Sequence, residues 1–165
     1  MDSLLDEIRA LALLIAANGT PVIVAQLSRD RWGIPLDLGW VLPDGERFLG
    51  SHKTWRGLIC GILACIGIGM LFSLPPGLTA AFALTSLLAD AGWSAMKRRM
   101  RLRPGTELIG LDSLGEALLP LTLFASELAL EFGEIIAVAA AFIVIDAATA
   151  QLRHRRWLKE SPNRS

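Results

Sequence analysis

The sequence predicts an all-α integral membrane protein: five transmembrane helices, with two long loops on the cytoplasmic side. Three observations carry this expectation. Residues 58–89 run for 32 positions without one Asp, Glu, Lys or Arg, and a helix needs only about 20 apolar residues to cross the hydrocarbon core. Apolar residues make up 53% of the chain and charged ones 19%, with a mean hydropathy of +0.48, displaced from the soluble average. The 16 Lys and Arg are gathered between the apolar runs rather than spread along them.

The first span is expected over residues 10–27, after the charged turn Asp6-Glu7-Arg9. Asn18, Gly19 and Pro21 near its middle predict a kink or local break, because proline removes a helical donor. Residues 28–56 are polar and turn-rich. So long a connection is expected to be functional or poorly ordered. Span two covers 58–74, where Gly61, Gly67 and Gly69 offer a small-residue face for helix packing. Pro75-Pro76-Gly77 makes a tight turn into span three, 78–93. A basic loop from Lys97 to Gly105 follows, then span four over 114–130, the turn Glu131-Phe132-Gly133-Glu134, and span five over 135–150. The whole chain, 1–165, reads as one transmembrane domain.

Charge placement orients it. Arg29, Arg31, Arg47, Lys53 and Arg56 follow span one; Lys97, Arg98, Arg99, Arg101 and Arg103 follow span three. Arg153, Arg155, Arg156, Lys159 and Arg164 lie in the tail. Only Arg9 remains for the other side. The positive-inside rule then places both long loops and the C-terminus in the cytoplasm and the N-terminus outside, in the cell membrane. Net charge is zero, so no nucleic-acid partner is expected. The acidic start, Met-Asp-Ser-Leu-Leu-Asp-Glu, does not look like a cleavable signal. Cys60 and Cys65, inside an apolar run, read as free thiols. Trp55, Trp93 and Trp157 fall where an interfacial aromatic belt is expected.

The chemistry concentrates in residues 44–57, Asp-Gly-Glu-Arg-Phe-Leu-Gly-Ser-His-Lys-Thr-Trp-Arg-Gly. Gly50 and Gly57 bracket Lys53, Thr54 and Arg56. Glycines let backbone N–H groups close on an anion, and the basic side chains supply charge. The spacing is not that of a Walker P-loop. Either this loop binds phosphate, or its charges merely set topology; His52 reads equally as a phosphate donor or a solvent-facing histidine. Asp90 closes span three, and Asp112 with Glu116 opens span four. Acids at a membrane edge are costly unless paired or bound to a cation. Asp90 either pairs with Lys97 or Arg98, or joins Asp112 and Glu116 in holding Mg²⁺ against a polyphosphate. Asp146, inside span five, is expected to pair with a basic residue of a cytoplasmic loop.

These residues resemble the CDP-archaeol synthase family, relatives of the phosphatidate cytidylyltransferases. The family pattern Asp-Gly-x-Arg-x-Leu-Gly-x-x-Lys-Thr-x-Arg-Gly is matched by Asp44, Gly45, Arg47, Leu49, Gly50, Lys53, Thr54, Arg56 and Gly57. Asn18 and Pro21 match an Asn-x-x-Pro of the first span. Asp90, Ser94, Lys97, Arg98 and Arg99, then Pro104-Gly105, match a second block. Ala89 replaces a family glycine, and the family's Asp-x-x-Asp survives only as Asp112, with Gly115 at its second position and Glu116 beside it. Three outcomes follow from that departure: Glu116 substitutes, Asp90 and Asp112 suffice alone, or the chain is a non-catalytic relative that binds nucleotide or anionic lipid.

The resemblance implies transfer of CMP from CTP to a lipid phosphate within the membrane, releasing pyrophosphate, with Mg²⁺ as cofactor. It implies catalytic roles for Lys53, Asp90, Lys97 and Asp112, and metal binding by Asp90, Asp112 and Glu116. Asp44, Gly45, Arg47, Gly50, Lys53, Thr54, Arg56, Gly57, Ser94 and Arg98 would hold CTP and the lipid phosphate. The glycine face of span two also leaves room for a homo-oligomer.

Overall fold

The structure, a computed structural model, describes residues 2–28, 31–43, 45, 47–49, 53–100 and 111–160, with the side chains of all but 2, 98, 111, 112 and 152–160. Asp44, Gly50, His52, Arg101, Arg103 and Arg164 lie outside the described residues, as do the side chains of Arg98, Asp112 and the tail from residue 152. Five helices follow in order: α1 (Asp2–Leu27), α2 (Trp55–Leu71), α3 (Pro76–Arg99), α4 (Leu111–Leu123) and α5 (Phe132–Glu160). Each packs on its chain neighbour except that α5 also closes back on α1, and α1 reaches across to α3. Leu13, Leu14, Cys65, Phe82 and Leu121 fill the centre, all with no exposed surface. Cys60 and Cys65 are free thiols, as expected.

Two segments, Ser3–Leu27 and Phe132–Gln151, have both the length and the hydropathy to cross a membrane, at 1.8 and 1.9. In each, 22% of the apolar window is buried inside the bundle, which leaves apolar surface on both helices for lipid contact.

Helix α1 is not broken. It runs through Pro21 without interruption, and the carbonyl that proline leaves without its helical donor faces the neighbouring helix. Pro21 cannot donate to the carbonyl of Ala17, four residues earlier. That carbonyl lies against Gly61 of α2, where a Cβ would come within 2.8 Å of it. The next contacts along the seam are Pro21 against Gly57, 3.2 Å from a Cβ there, and the Cys65 thiol against the Leu13 carbonyl, 3.7 Å. The small-residue face of α2 is therefore Gly57, Gly61, Cys65 and Gly69, a strict four-residue repeat that is buried throughout. Gly67 is not on it: it is exposed, with open space where a side chain would stand. A spacing of two residues carries Gly67 about 200° around the helix from Gly69.

Within the expected fourth span, 114–130, the regular helix is shorter than the span. Helix α4 ends at Leu123, and 13 residues reach only about 20 Å. The Thr122 hydroxyl turns back to the carbonyls of Leu118 and Leu119, at 2.7 and 3.1 Å. Ala129 takes a left-handed φ of 54°, and the Leu130 amide reaches back to the Ala125 carbonyl at 2.8 Å. Local hydroxyl bonding and that left-handed residue end the regular ladder.

The described part of the connection between α1 and α2 is ordered by pairing rather than left loose. Antiparallel bridges join Pro35 to Thr54 and Val41 to Arg47. The Leu36 amide donates to the Lys53 carbonyl at 2.7 Å, and the Trp55 amide to the Ile34 carbonyl at 3.0 Å. At the centre of this loop stands Asp37, 8% exposed.

Candidate active site

Lys53 is aimed from its backbone upward. The bridge to residues 34–36 fixes its main chain. One residue on, the Thr54 hydroxyl accepts from the Gly57 amide at 3.2 Å and caps α2. Held between the bridge and the cap, the side chain crosses to α3 and forms an ion pair with Asp90. Asp90 thus pairs with Lys53, 37 residues away in sequence.

Glu116 of α4 is the next acid: Asp90 is its foremost charged neighbour, and Lys53 and Asp146 also act electrostatically on it. The Lys53–Asp90 pair therefore stands beside a second carboxyl group. Among the described residues, Asp146 accepts from the Ser113 hydroxyl at 2.7 Å; the loop cations at 101 and 103 lie outside the described residues. Ser113 opens α4, so Asp146 fastens that helix to α5 next to the site.

The position of Glu116 has a second cause in the sequence. Pro120, four residues on, has no N–H to give the Glu116 carbonyl. The Ser86 hydroxyl of α3 fills the vacancy at 3.0 Å, and Ser86 in turn accepts from Asn18 of α1 at 2.8 Å. Three helices are joined through one serine at the residue that carries the acid. Asn18 belongs to the Asn-x-x-Pro of the first span, and its place in this chain was not legible before the fold.

Gly115 now has a physical explanation. A Cβ there would fall on the indole of Trp93. The room for a second family acid is occupied by Trp93, and the neighbouring Glu116 is the carboxylate beside Asp90. Substituting Asp for Gly115 is therefore expected to displace the indole and to destabilise the protein by about 1–3 kcal/mol, the usual range for overpacking. Thermal melts in detergent check it: Gly115→Asp should melt below the parent, and Trp93→Ala in the same chain should recover most of the loss. Equal loss with and without Trp93 would refute the steric reading.

Several other expected site residues have partners within the loop. Arg47 donates to Asp37 at 3.1 Å, alongside the amides of Gly39 and Leu49 at 3.0 and 3.1 Å. Arg56 donates to the Ser28 hydroxyl at 2.6 Å and to the Arg31 carbonyl. Gly57 is packed on Pro21. Gly45, at φ 81°, makes the turn between Val41 and Arg47 that favours glycine. Ser94 and Lys97 follow Asp90 on one face of α3, at steps of four and three. Asp37 is the residue that the motif search missed. Its signal is the short-range Asp-x-Gly turn, in which the carboxylate accepts from the amide two residues on.

Two neighbouring carboxyl groups that act on each other electrostatically favour a proton or a cation between them. No group of three or more His, Cys, Asp and Glu suited to a metal occurs among the described residues. The Asp90–Glu116 pair therefore suits an ion that takes one or two protein carboxylates and completes its shell with water and phosphate, as Mg²⁺ does.

A family model described as CarS-like, CDP-archaeol synthase, matches residues 10–81. A protein of Thermococcus onnurineus named CDP-archaeol synthase is 37% identical over 131 residues, 73% of this chain and 74% of its own length. The chain belongs to the CDP-archaeol synthase family. A second family protein, from Thermofilum pendens, is 39% identical over 103 residues, and the match spans 50% of its length; for the Pyrococcus furiosus protein, 37% identical, it spans 62%. A solved structure described as an intramembrane enzyme for archaeal membrane lipids biosynthesis superposes with a TM-score of 0.73 at 31% identity, covering 87% of this chain and 91% of its own. The chain is thus an all-α membrane protein of the CDP-archaeol synthase family.

Proposed function

We propose that the protein is a membrane-embedded cytidylyltransferase that transfers CMP from CTP to a lipid phosphate, giving a CDP-activated lipid and pyrophosphate. The observation that carries this reading is the Lys53–Asp90–Glu116 cluster, built from the family's Lys-Thr-x-Arg-Gly loop and the two helices that follow it.

An oxygen of the lipid phosphate attacks the α-phosphorus of CTP. The bond from that phosphorus to the bridging oxygen breaks, and pyrophosphate leaves with the electron pair. A phosphate monoester is already anionic, so no side chain has to remove a proton. Lys53, with Lys97 and Arg98 further along α3, offsets the repulsion between two anionic reactants and holds them in line. Nucleotide binding is assigned to Asp44, Gly45, Gly50, Thr54 and Ser94, while Arg47 and Arg56 keep the loop in shape through Asp37 and Ser28. Asp90 and Glu116, with Asp112, would hold Mg²⁺, which when bound supplies charge neutralisation at the phosphates.

In the membrane, all five helices cross, with α4 completed by residues 124–130; the N-terminus lies outside and the loops and C-terminus in the cytoplasm of the cell. The exposed Trp32, Leu38 and Trp40 of the first loop support this placement. Trp40 stacks near Phe48, ring centroids 5.7 Å apart, and such amphipathic rings suit the headgroup layer. The test is pyrophosphate release by the purified protein in lipid nanodiscs, with CTP, Mg²⁺ and either ether-linked glycerol phosphates or phosphatidate. Release that needs CTP and a lipid phosphate is expected; none with any lipid phosphate would overturn the proposal.

A further inference from the structure

The described part of the α1–α2 connection is built inside out. Its polar groups turn inward. Asp37 is buried and takes the amides of Gly39 and Leu49 and the guanidinium of Arg47, and Arg56 is held by Ser28 and the Arg31 carbonyl. Its apolar groups turn outward: Trp32, Ile34, Leu38, Trp40 and Val41 are between 51% and 86% exposed. So many large apolar side chains within ten positions make a patch, not the scattered exposure of an ordinary surface. Two of them reach outward from a strained backbone. Trp32 and Leu38 take left-handed φ angles of 64° and 47°, a conformation that residues with a side chain rarely adopt. Such strain persists where the surroundings hold it in place, and water would favour neither the strain nor the bare hydrocarbon.

We propose that residues 32–41 seat in the headgroup layer of the chain's own bilayer, and that this contact steadies the segment that aims Lys53. Three observations name lipid as the occupant. Exposed apolar side chains lead into the loop from Ile23 and Leu27 at the end of α1, and out of it to Ile59 and Leu63 of α2. The patch therefore continues surfaces that the five-span placement turns to hydrocarbon. The loop is also tied at the level of a helix end, since Pro35 bridges Thr54, the cap of α2. Arg31, exposed beside Trp32, adds a cation that an anionic headgroup layer attracts, next to indole rings that favour the same depth. The link to the chemistry is main-chain. Between the exposed Ile34 and Leu38, the Ile34 carbonyl accepts from the Trp55 amide and the Leu36 amide donates to the Lys53 carbonyl. Movement of the seated strip is movement of the Lys53 backbone. The link to Lys53 rests on the cytidylyltransferase reading; the seating rests on the membrane placement alone.

Spin labels test the seating without turnover. A nitroxide is attached to Leu38→Cys, and separately to Trp32→Cys, in a Cys60→Ala chain; Cys65 has no exposed surface and stays. In nanodiscs of phosphatidylcholine and phosphatidylglycerol, both labels are expected to collide more with oxygen, which concentrates in lipid, than with a water-soluble nickel chelate. Labels reached more readily by the chelate overturn the seating. So does protection that appears only on adding CTP, or only in discs holding two copies whose labels couple; those results give the face to nucleotide or to a second chain. Initial rates test the link to Lys53. Leu38→Glu, which sets a charge in the apolar patch, is expected to lower CTP-dependent pyrophosphate release in nanodiscs about tenfold, while Leu38→Phe keeps the parent's rate. Equal rates for all three overturn that link. Absence of turnover by the parent with every lipid phosphate would sink the cytidylyltransferase reading, and the labels would still decide the seating.

Discussion

Lys53→Met is expected to lower CTP-dependent pyrophosphate release by about 10²–10³-fold, the scale on which removing one well-placed charge-stabilising donor acts. The ammonium is held by a backbone bridge on one side and a helix cap on the other, so it meets the reactants already aimed. A purely structural role makes a different forecast. If Lys53 only neutralises Asp90, then Lys53→Met leaves a half-buried carboxylate without its partner, and adding Asp90→Asn should relieve that and restore activity. If both groups act on the reactants, the double variant stays as inactive as the singles. Initial rates of the two singles and the double, under saturating CTP, decide between these roles; recovery in the double would reduce the pair to a brace.

Glu116→Gln carries the second large expectation. It keeps the shape of the side chain and removes its charge. On the assignment proposed above, activity falls about 10²-fold, and the Mg²⁺ concentration for half-maximal rate rises. Asp112→Asn, titrated alongside, shows how the metal-binding role is divided. A Glu116→Gln protein with the parent's Mg²⁺ curve would mean that Asp90 and Asp112 suffice, and that the contact between Asp90 and Glu116 serves packing alone.

Much of this molecule was readable before folding because its strongest signals are one-dimensional. The 32-residue uncharged run, the turn prolines and the clustered cations required no knowledge of neighbours, and five helices follow from them. Residues 44–57 and the block after Asp90 also stood out, since glycine and basic residues at fixed steps have a local chemical meaning. What escaped is whatever depends on two elements meeting. The helix face of α2 was assigned to Gly67 because glycine alone was counted; the true repeat includes Cys65, and only the partner helix shows that its small thiol belongs there. The serine that the adjacent helix offers to Asp146 was likewise invisible in the sequence. The end of α4 was hidden because Leu, Phe and Ala in 124–130 are apolar enough to continue a span; a threonine hydroxyl and a left-handed alanine stop it. Gly115 read as a loss while only the acid pattern was in view, and became intelligible once Trp93 was seen to occupy the space.

The bond from Ser86 to the Glu116 carbonyl has a thermodynamic consequence. In an ordinary helix that oxygen would be bound within its own ladder, and α4 would remain free to slide or turn as a rigid rod against α3. Pro120 removes the internal donor and hands the oxygen to a different helix. Rotating α4 would then strand a main-chain acceptor in a water-poor interior, at a cost of roughly 1–3 kcal/mol. The azimuth of the acidic side chain is thereby quantised: one angle is bonded and its neighbours are not. The entropy of orienting that carboxylate is lost when the bundle assembles, before any nucleotide or ion arrives.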